Sequence, residues 1–219
     1  MKLYDIHTHL YSFSQINGYN IEYILNTYPF QFDEIKQKQP SAQYFSCGIH
    51  PWYSDDYESQ FGQLKDIVRN HSNVVAIGEA GLDKLRGLDL NTQAKIFRYQ
   101  ALLAEEVEKP IVIHCVKAWD ELIAIRKEIN PSQLWIIHGY RGGVEQLEQL
   151  IKLGFGISLG EFSNPEALKK IPLTSLFLET DMSDTSIYTI YQKYSDILGI
   201  TIADMGNIVD KNVKNAFKL

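Results

Sequence analysis

Five apolar runs in this chain each lead into a histidine or a carboxylate, and no other feature restricts the fold as much. Leu3-Tyr4-Asp5-Ile6 leads to His7 and His9, Val74-Val75-Ala76-Ile77-Gly78 to Glu79, and Pro110-Ile111-Val112-Ile113 to His114. Leu134-Trp135-Ile136-Ile137 leads to His138, and Leu176-Phe177-Leu178-Glu179-Thr180 to Asp181. Near-continuous apolar runs of this length are the pattern of strands buried on both faces. Five of them finishing on polar donors imply donors gathered at one end of a barrel or sheet. Side chains on a strand alternate with period two, so His7 and His9 share a face and both can reach one ion.

Strand patterns fall at 2–7, 21–27, 44–49, 74–79, 110–115, 134–138, 155–159 and 176–180, with helical patterns between most of them. Residues 92–108 place Ile96, Tyr99, Leu103 and Val107 on one face, with Asn91 as the cap. Residues 143–153 stop at Gly154, and Asn164-Pro165 opens a short helix through Ile171. Two helices, 186–198 and 203–217, close the chain on either side of Gly199. The stretch 11–43 shows no convincing first helix. Alternating strands and helices imply parallel pairing, and eight strands close as an α/β fold of the (β/α)8 barrel type, slightly truncated. An open doubly wound sheet lacks support, because no glycine-rich loop follows the first strand. No linker or repeat divides residues 1–219, which read as one domain.

Net charge is −6, which argues against sequence-independent attraction to nucleic acid over the whole surface. It does not exclude a nucleic-acid substrate, since two divalent ions reverse the local potential at a mouth. Cys47 and Cys115 are the only cysteines, too few for a disulfide scaffold. Cys115 follows His114 directly and points to the opposite strand face, into packing. No apolar run approaches the roughly 20 residues that span a bilayer, and the chain reads as cytoplasmic.

Imidazole and carboxylate donors without thiolate suit hard or borderline divalent ions. Two such ions, bridged by a carboxylate, supply an activated water and polarise a phosphoryl or carbonyl oxygen. Asp181, on the last strand, is placed to ligate one ion and to hold or deprotonate that water. Tyr11, Trp52, Trp119 and Tyr140 fall near the mouth, where such rings either stack on bases or pack down on the barrel. His71 ends a helix whose Phe61, Leu64 and Val68 face inward, and carries no chemistry. Asp83 and Glu179 flank donors and have the chemistry to orient histidines.

The chain resembles the TatD family of metal-dependent hydrolases, within the amidohydrolase superfamily. The resemblance rests on Asp5-Ile6-His7-Thr8-His9-Leu10, Gly48-Ile49-His50-Pro51, Ile77-Gly78-Glu79-Ala80-Gly81-Leu82-Asp83, Pro110-Ile111-Val112-Ile113-His114, His138-Gly139-Tyr140-Arg141-Gly142, Glu179-Thr180-Asp181 and Asn212-Val213-Lys214-Asn215-Ala216-Phe217. It implies that His7, His9 and Asp181 hold one ion, that His114 and His138 hold a second, and that Glu79 bridges them. It gives Glu79 and Asp181 catalytic roles, sets His50 toward the substrate, and implies two divalent ions (Zn, Mg, Mn or Ni). The implied activity is a deoxyribonuclease of 3′–5′ exonuclease type, acting on single-stranded DNA or 3′ ends.

The departures lie around the substrate. His114-Cys115-Val116-Lys117-Ala118 lacks the arginine usual in the family, and Met182-Ser183-Asp184-Thr185-Ser186 replaces a proline-rich stretch with an Arg-Asn pair. Gly139-Tyr140-Arg141-Gly142 replaces Cys-Phe-Ser-Gly, and Trp52 stands where a histidine often follows His-Pro. Lys117 and Arg141 are the replacement candidates for phosphate contact. The alternative reading is an amide, ester or lactone hydrolase, since the same activated water attacks carbon. A more remote one is a barrel that keeps its metal residues as a non-catalytic binding module.

Overall fold

In the computed structural model, residues 1–10 and 15–219 are described. Tyr11, among the aromatic residues expected near the mouth, lies outside them. The strands are β1 (Lys2–Thr8), β2 (Gln15–Ile16), β3 (Tyr19–Thr27), β4 (Tyr44–Cys47), β5 (Val74–Asp83), β6 (Ile111–Val116), β7 (Trp135–Ile137), β8 (Gly156–Leu159) and β9 (Leu176–Leu178). The helices are α1 (Phe32–Lys38), α2 (Tyr57–Asn70), α3 (Leu90–Glu106), α4 (Trp119–Ile129), α5 (Val144–Lys152), α6 (Pro165–Leu168), α7 (Ile187–Leu198) and α8 (Ile202–Phe217). The sheet order is β1-β3-β4-β5-β6-β7-β8-β9, with β2 pairing antiparallel on β3. Thr8 forms a parallel bridge to Asp181, just beyond β9. This is the strand order of a (β/α)8 barrel, as the alternating pattern predicts.

The chain forms two compact units, Met1–Leu25 with Ile136–Leu219, and Asn26–Trp135. In the first unit, helices α7 and α8 pack on β1 and β9. The Tyr191 hydroxyl donates to the Tyr4 carbonyl at 3.0 Å and accepts the Tyr4 N–H at 3.1 Å, fixing β1 against α7. Asn212, within the closing motif, donates to the carbonyls of Leu173 and Leu176 at 2.7 and 2.8 Å. Helix α7 stops at Gly199, whose φ of +67° suits a residue without Cβ. Thr201 and Asp204 then form a capping box that starts α8.

In the second unit, α3 packs on β5. Its cap is Asp89, whose carboxylate accepts the Asn91 and Thr92 N–H groups, so the helix starts before the expected Asn91. Its inward face is centred on Ile96, Phe97, Gln100 and Ala104, while Tyr99, expected inward, is exposed. The difference is physical: two glutamines, Gln93 and Gln100, sit on the buried face and break its apolar period. Strand β5 runs four residues past Glu79, to Asp83. Helix α6 ends at Leu168, short of the expected Ile171. The stretch 11–43 holds a helix after all, α1, but it follows β3; among the described residues the connection from β1 to β3 carries the short strand β2 instead.

Candidate metal centre

Each unit gathers its own set of donors. In the first unit, His7 comes from β1 and His9 from just beyond it, His138 follows β7, and Asp181 follows β9. The Asp181 N–H donates to the His7 carbonyl at 2.9 Å, and the His9 N–H donates to the Asp181 carbonyl at 3.1 Å. Asp181 has a φ of +55°, in the left-handed region that aspartate tolerates better than most residues. These backbone bonds put Asp181 Oδ1 at 3.7 Å from both His7 Nε2 and His9 Nε2. Such distances are too long for hydrogen bonds. They approach the spacing of roughly 3.4 Å that donors take around a tetrahedral ion with bonds of about 2.0–2.1 Å. His138 joins this set: its ring centroid is 4.5 Å from that of His7, and donor atoms of His7, His138 and Asp181 lie within 4.8 Å of one another. The residues fit a divalent ion.

Two buried carboxylates support this set from behind. Glu179 is fully buried and accepts the Gly139 N–H at 2.6 Å, while the same oxygen meets His138 Nδ1 at 3.2 Å. That contact leaves His138 Nε2 as the nitrogen for an ion. Asp5 accepts the Thr180 N–H at 3.0 Å and the Thr180 hydroxyl at 2.6 Å. It thereby anchors the backbone that ends in Asp181.

In the second unit, Glu79 comes from β5, His114 from β6, and His50 from the turn after β4. Glu79 Oε1 lies 2.8 Å from His114 Nδ1 and 3.1 Å from His50 Nε2. All three are buried. Asn26 places Glu79 by accepting its backbone N–H at 2.7 Å, and is itself held by the Ser46 hydroxyl at 2.9 Å. His114 Nε2 meets Asp83 Oδ2 at 3.1 Å. Burial pushes the Asp83 carboxyl up, but hydrogen bonds from Trp52, Leu85 and His114 outweigh it and hold it below the ordinary carboxylate value. Gly81 makes the close β5–β6 approach possible, since a Cβ there would lie 1.9 Å from the His114 carbonyl oxygen.

The residues expected at the substrate are placed less uniformly. His50 is buried, with Nδ1 accepting the Trp52 N–H at 3.1 Å and Nε2 on Glu79. Lys117 is exposed at the end of β6 with φ +53°. The Arg141 guanidinium lies 5.3 Å from the Phe162 ring, beside a cavity of about 140 Å3 also lined by Glu179, Asp181 and Met182. Tyr140 is buried, with its hydroxyl donating to the Gly143 carbonyl at 2.7 Å, and packs rather than stacks. Burial raises the Cys115 thiol to about 12, an unreactive state in keeping with packing.

Sequence reasoning passed over Asp5, Asn26, Gln93 and Gln100. Their signal is a polar residue on an otherwise apolar strand or helix face, which periodicity alone treats as noise.

Residues 4–218 match the TatD related DNase family. The chain belongs to that family. An uncharacterized metal-dependent hydrolase of Haemophilus influenzae is 27% identical over 220 residues, covering 86% of this chain and 84% of the relative. The 3′-5′ ssDNA/RNA exonuclease TatD of Pantoea vagans is 27% identical over 157 residues, covering 67% of this chain and 60% of the relative. The crystal structure of the TatD homologue YjjV of Escherichia coli superposes with a TM-score of 0.80 at 22% identity, covering 90% of this chain and 86% of that one. That likeness shows the (β/α)8 fold for this TatD family chain.

Proposed function

We propose that this TatD family hydrolase is a divalent-metal-dependent nuclease that cleaves phosphodiester bonds of single-stranded DNA or of 3′ ends. The observation that carries the reading is the 3.7 Å spacing of Asp181 Oδ1 from two imidazole nitrogens, a donor arrangement that suits an ion better than hydrogen bonding. The exonuclease name of the Pantoea vagans relative supports the choice of substrate.

His7, His9, His138 and Asp181 would hold metal in one unit, and Glu79 with His114 in the other. Bound divalent ions supply an activated water and neutralise charge on the phosphate oxygens. Asp181, the one carboxylate of its set and partly exposed, takes the proton from the attacking water. Glu179 and Asp83 hold the far nitrogens of His138 and His114, so that neither ring turns when substrate arrives. Arg141 and Lys117 offer the cationic contacts to phosphate that the family's missing arginine would otherwise make. Glu79 has the bridging role that the resemblance implies. On that reading Glu79→Gln lowers the metal content and cuts hydrolysis by orders of magnitude while the fold persists; wild-type turnover in that variant would remove Glu79 from the reaction.

The substrate assignment is tested by incubating the metal-loaded protein with labelled single-stranded DNA beside a panel of amides, esters and lactones. Turnover of DNA alone is the expected result. Turnover confined to a carbonyl substrate would put the amidohydrolase reading in its place, and turnover of nothing would leave a metal-binding module.

A further inference from the structure

The donors of the second unit belong to a closed ring of polar contacts, and one residue enters that ring twice. The backbone N–H of Trp52 donates to His50 Nδ1 at 3.1 Å. With Nδ1 accepting, the His50 ring proton sits on Nε2, which faces Glu79 Oε1 at 3.1 Å. Glu79 Oε1 also meets His114 Nδ1 at 2.8 Å, and His114 Nε2 meets Asp83 Oδ2 at 3.1 Å. The ring closes where the Trp52 indole N–H donates to that same Asp83 oxygen at 2.7 Å. Its ring also packs edge-on against both imidazoles, 4.9 Å from His50 and 5.4 Å from His114 between centroids.

We propose that Trp52 is a positioning residue for the metal donors of this unit: through its two N–H groups it sets which nitrogen of His50 and of His114 faces Glu79. The inference rests on the reading above, that Glu79 and His114 hold an ion. Trp52 suits the task because the indole N–H stands far from the backbone, so one residue spans from the turn at His50 to Asp83. Its own place is fixed from several sides. Pro51 starts the turn with a restricted φ, and the Ser54 hydroxyl donates to the Pro51 carbonyl at 3.1 Å. The Arg86 guanidinium covers the indole at 4.1 Å. Gln93 holds the segment carrying Asp83 and Arg86, accepting the Asp83 N–H at 2.7 Å and donating to the carbonyls of Asp83, Arg86 and Leu88.

The test is calorimetric titration of Mn(II) into the metal-free protein, its Trp52→Phe, Asp83→Asn and doubly substituted variants, and a His114→Ala reference that identifies the ion in question. Phenylalanine keeps an aromatic ring and removes the indole N–H. Partners behind a metal-bound histidine change affinity by about 10–100-fold. The expected result is a loss of that size in Trp52→Phe, confined to the ion that His114→Ala abolishes, with the double variant no weaker than Asp83→Asn alone. A merely structural role would weaken every ion and make the two losses multiply, which overturns the proposal, as does wild-type affinity in Trp52→Phe. If Trp52→Phe does not fold, Asp83→Asn decides: an undiminished affinity there breaks the chain of contacts and the proposal with it. If the wild-type protein binds no ion that His114→Ala loses, it is the metal reading of Glu79 and His114 that fails.

Discussion

Asp5 is fully buried, and that burial, reinforced by the nearby Glu179 carboxylate and opposed by the Thr180 hydrogen bonds, pushes its carboxyl up to about 7. A carboxyl raised above its unfolded value of 3.8 makes the folded chain bind more protons than the unfolded one between those two values. Its contribution to stability is therefore fully present below about 4 and is lost as pH rises through about 7. Urea unfolding of the metal-free protein at pH 5 and pH 8 should show stability falling, by on the order of a few kcal/mol from this group. Asp5→Asn should flatten that dependence, and an unchanged slope would assign it to another residue. The six candidate donors stand out in the sequence because they close five apolar runs, a placement that needs no knowledge of packing. The residues behind them were readable only in part. Glu179 and Asp83 lie close in sequence to candidate donors, whereas the contact of Asn26 with Glu79 spans 53 positions and leaves no local trace.

At the scale of elements, α3 does more than cover β5. Gln100 accepts the Ile49 N–H at 2.7 Å and donates to the Ile49 carbonyl at 3.0 Å, which fixes the backbone immediately before His50. Gln93 does the same for Asp83, the last residue of β5. Two buried amides thus convert one helix into a clamp on the segments that bear His50 and Asp83. Gln100→Ala leaves both polar groups of Ile49 buried without partners, at a cost of about 1–3 kcal/mol. Equilibrium urea unfolding should show that loss, accompanied by weaker metal binding; full stability would mean that other groups satisfy Ile49. The eight parallel strands were legible from their apolar runs, including β3, whose pattern at 21–27 is the least regular, whereas the short β2 was not. The start and inward face of α3 were not. Its cap lies two residues before the expected one, and its glutamines interrupt the stripe from which a helix face is read.

For the whole molecule, the net charge of −6 means that DNA is attracted locally or not at all. Lys117 and Arg141 are both exposed. Replacing both with alanine should raise KM for DNA and reduce the slope of log affinity against log salt by roughly 1.4, about 0.7 for each lost contact on a single strand. Small carbonyl substrates should respond little, and DNA cleavage unchanged at every salt concentration would exclude this clamp. The barrel was legible as a whole because alternating strand and helix patterns admit few closures. The substrate was not, because water activated by metal attacks phosphorus and carbon alike. The most direct test returns Mn(II) stepwise to the metal-free protein in the presence of a 5′-labelled single-stranded oligonucleotide. The prediction is no cleavage without metal, then products shortened from the 3′ end that increase until two ions are bound per chain. An oligonucleotide left intact at full metal load, or cut equally well under excess chelator, would contradict the account.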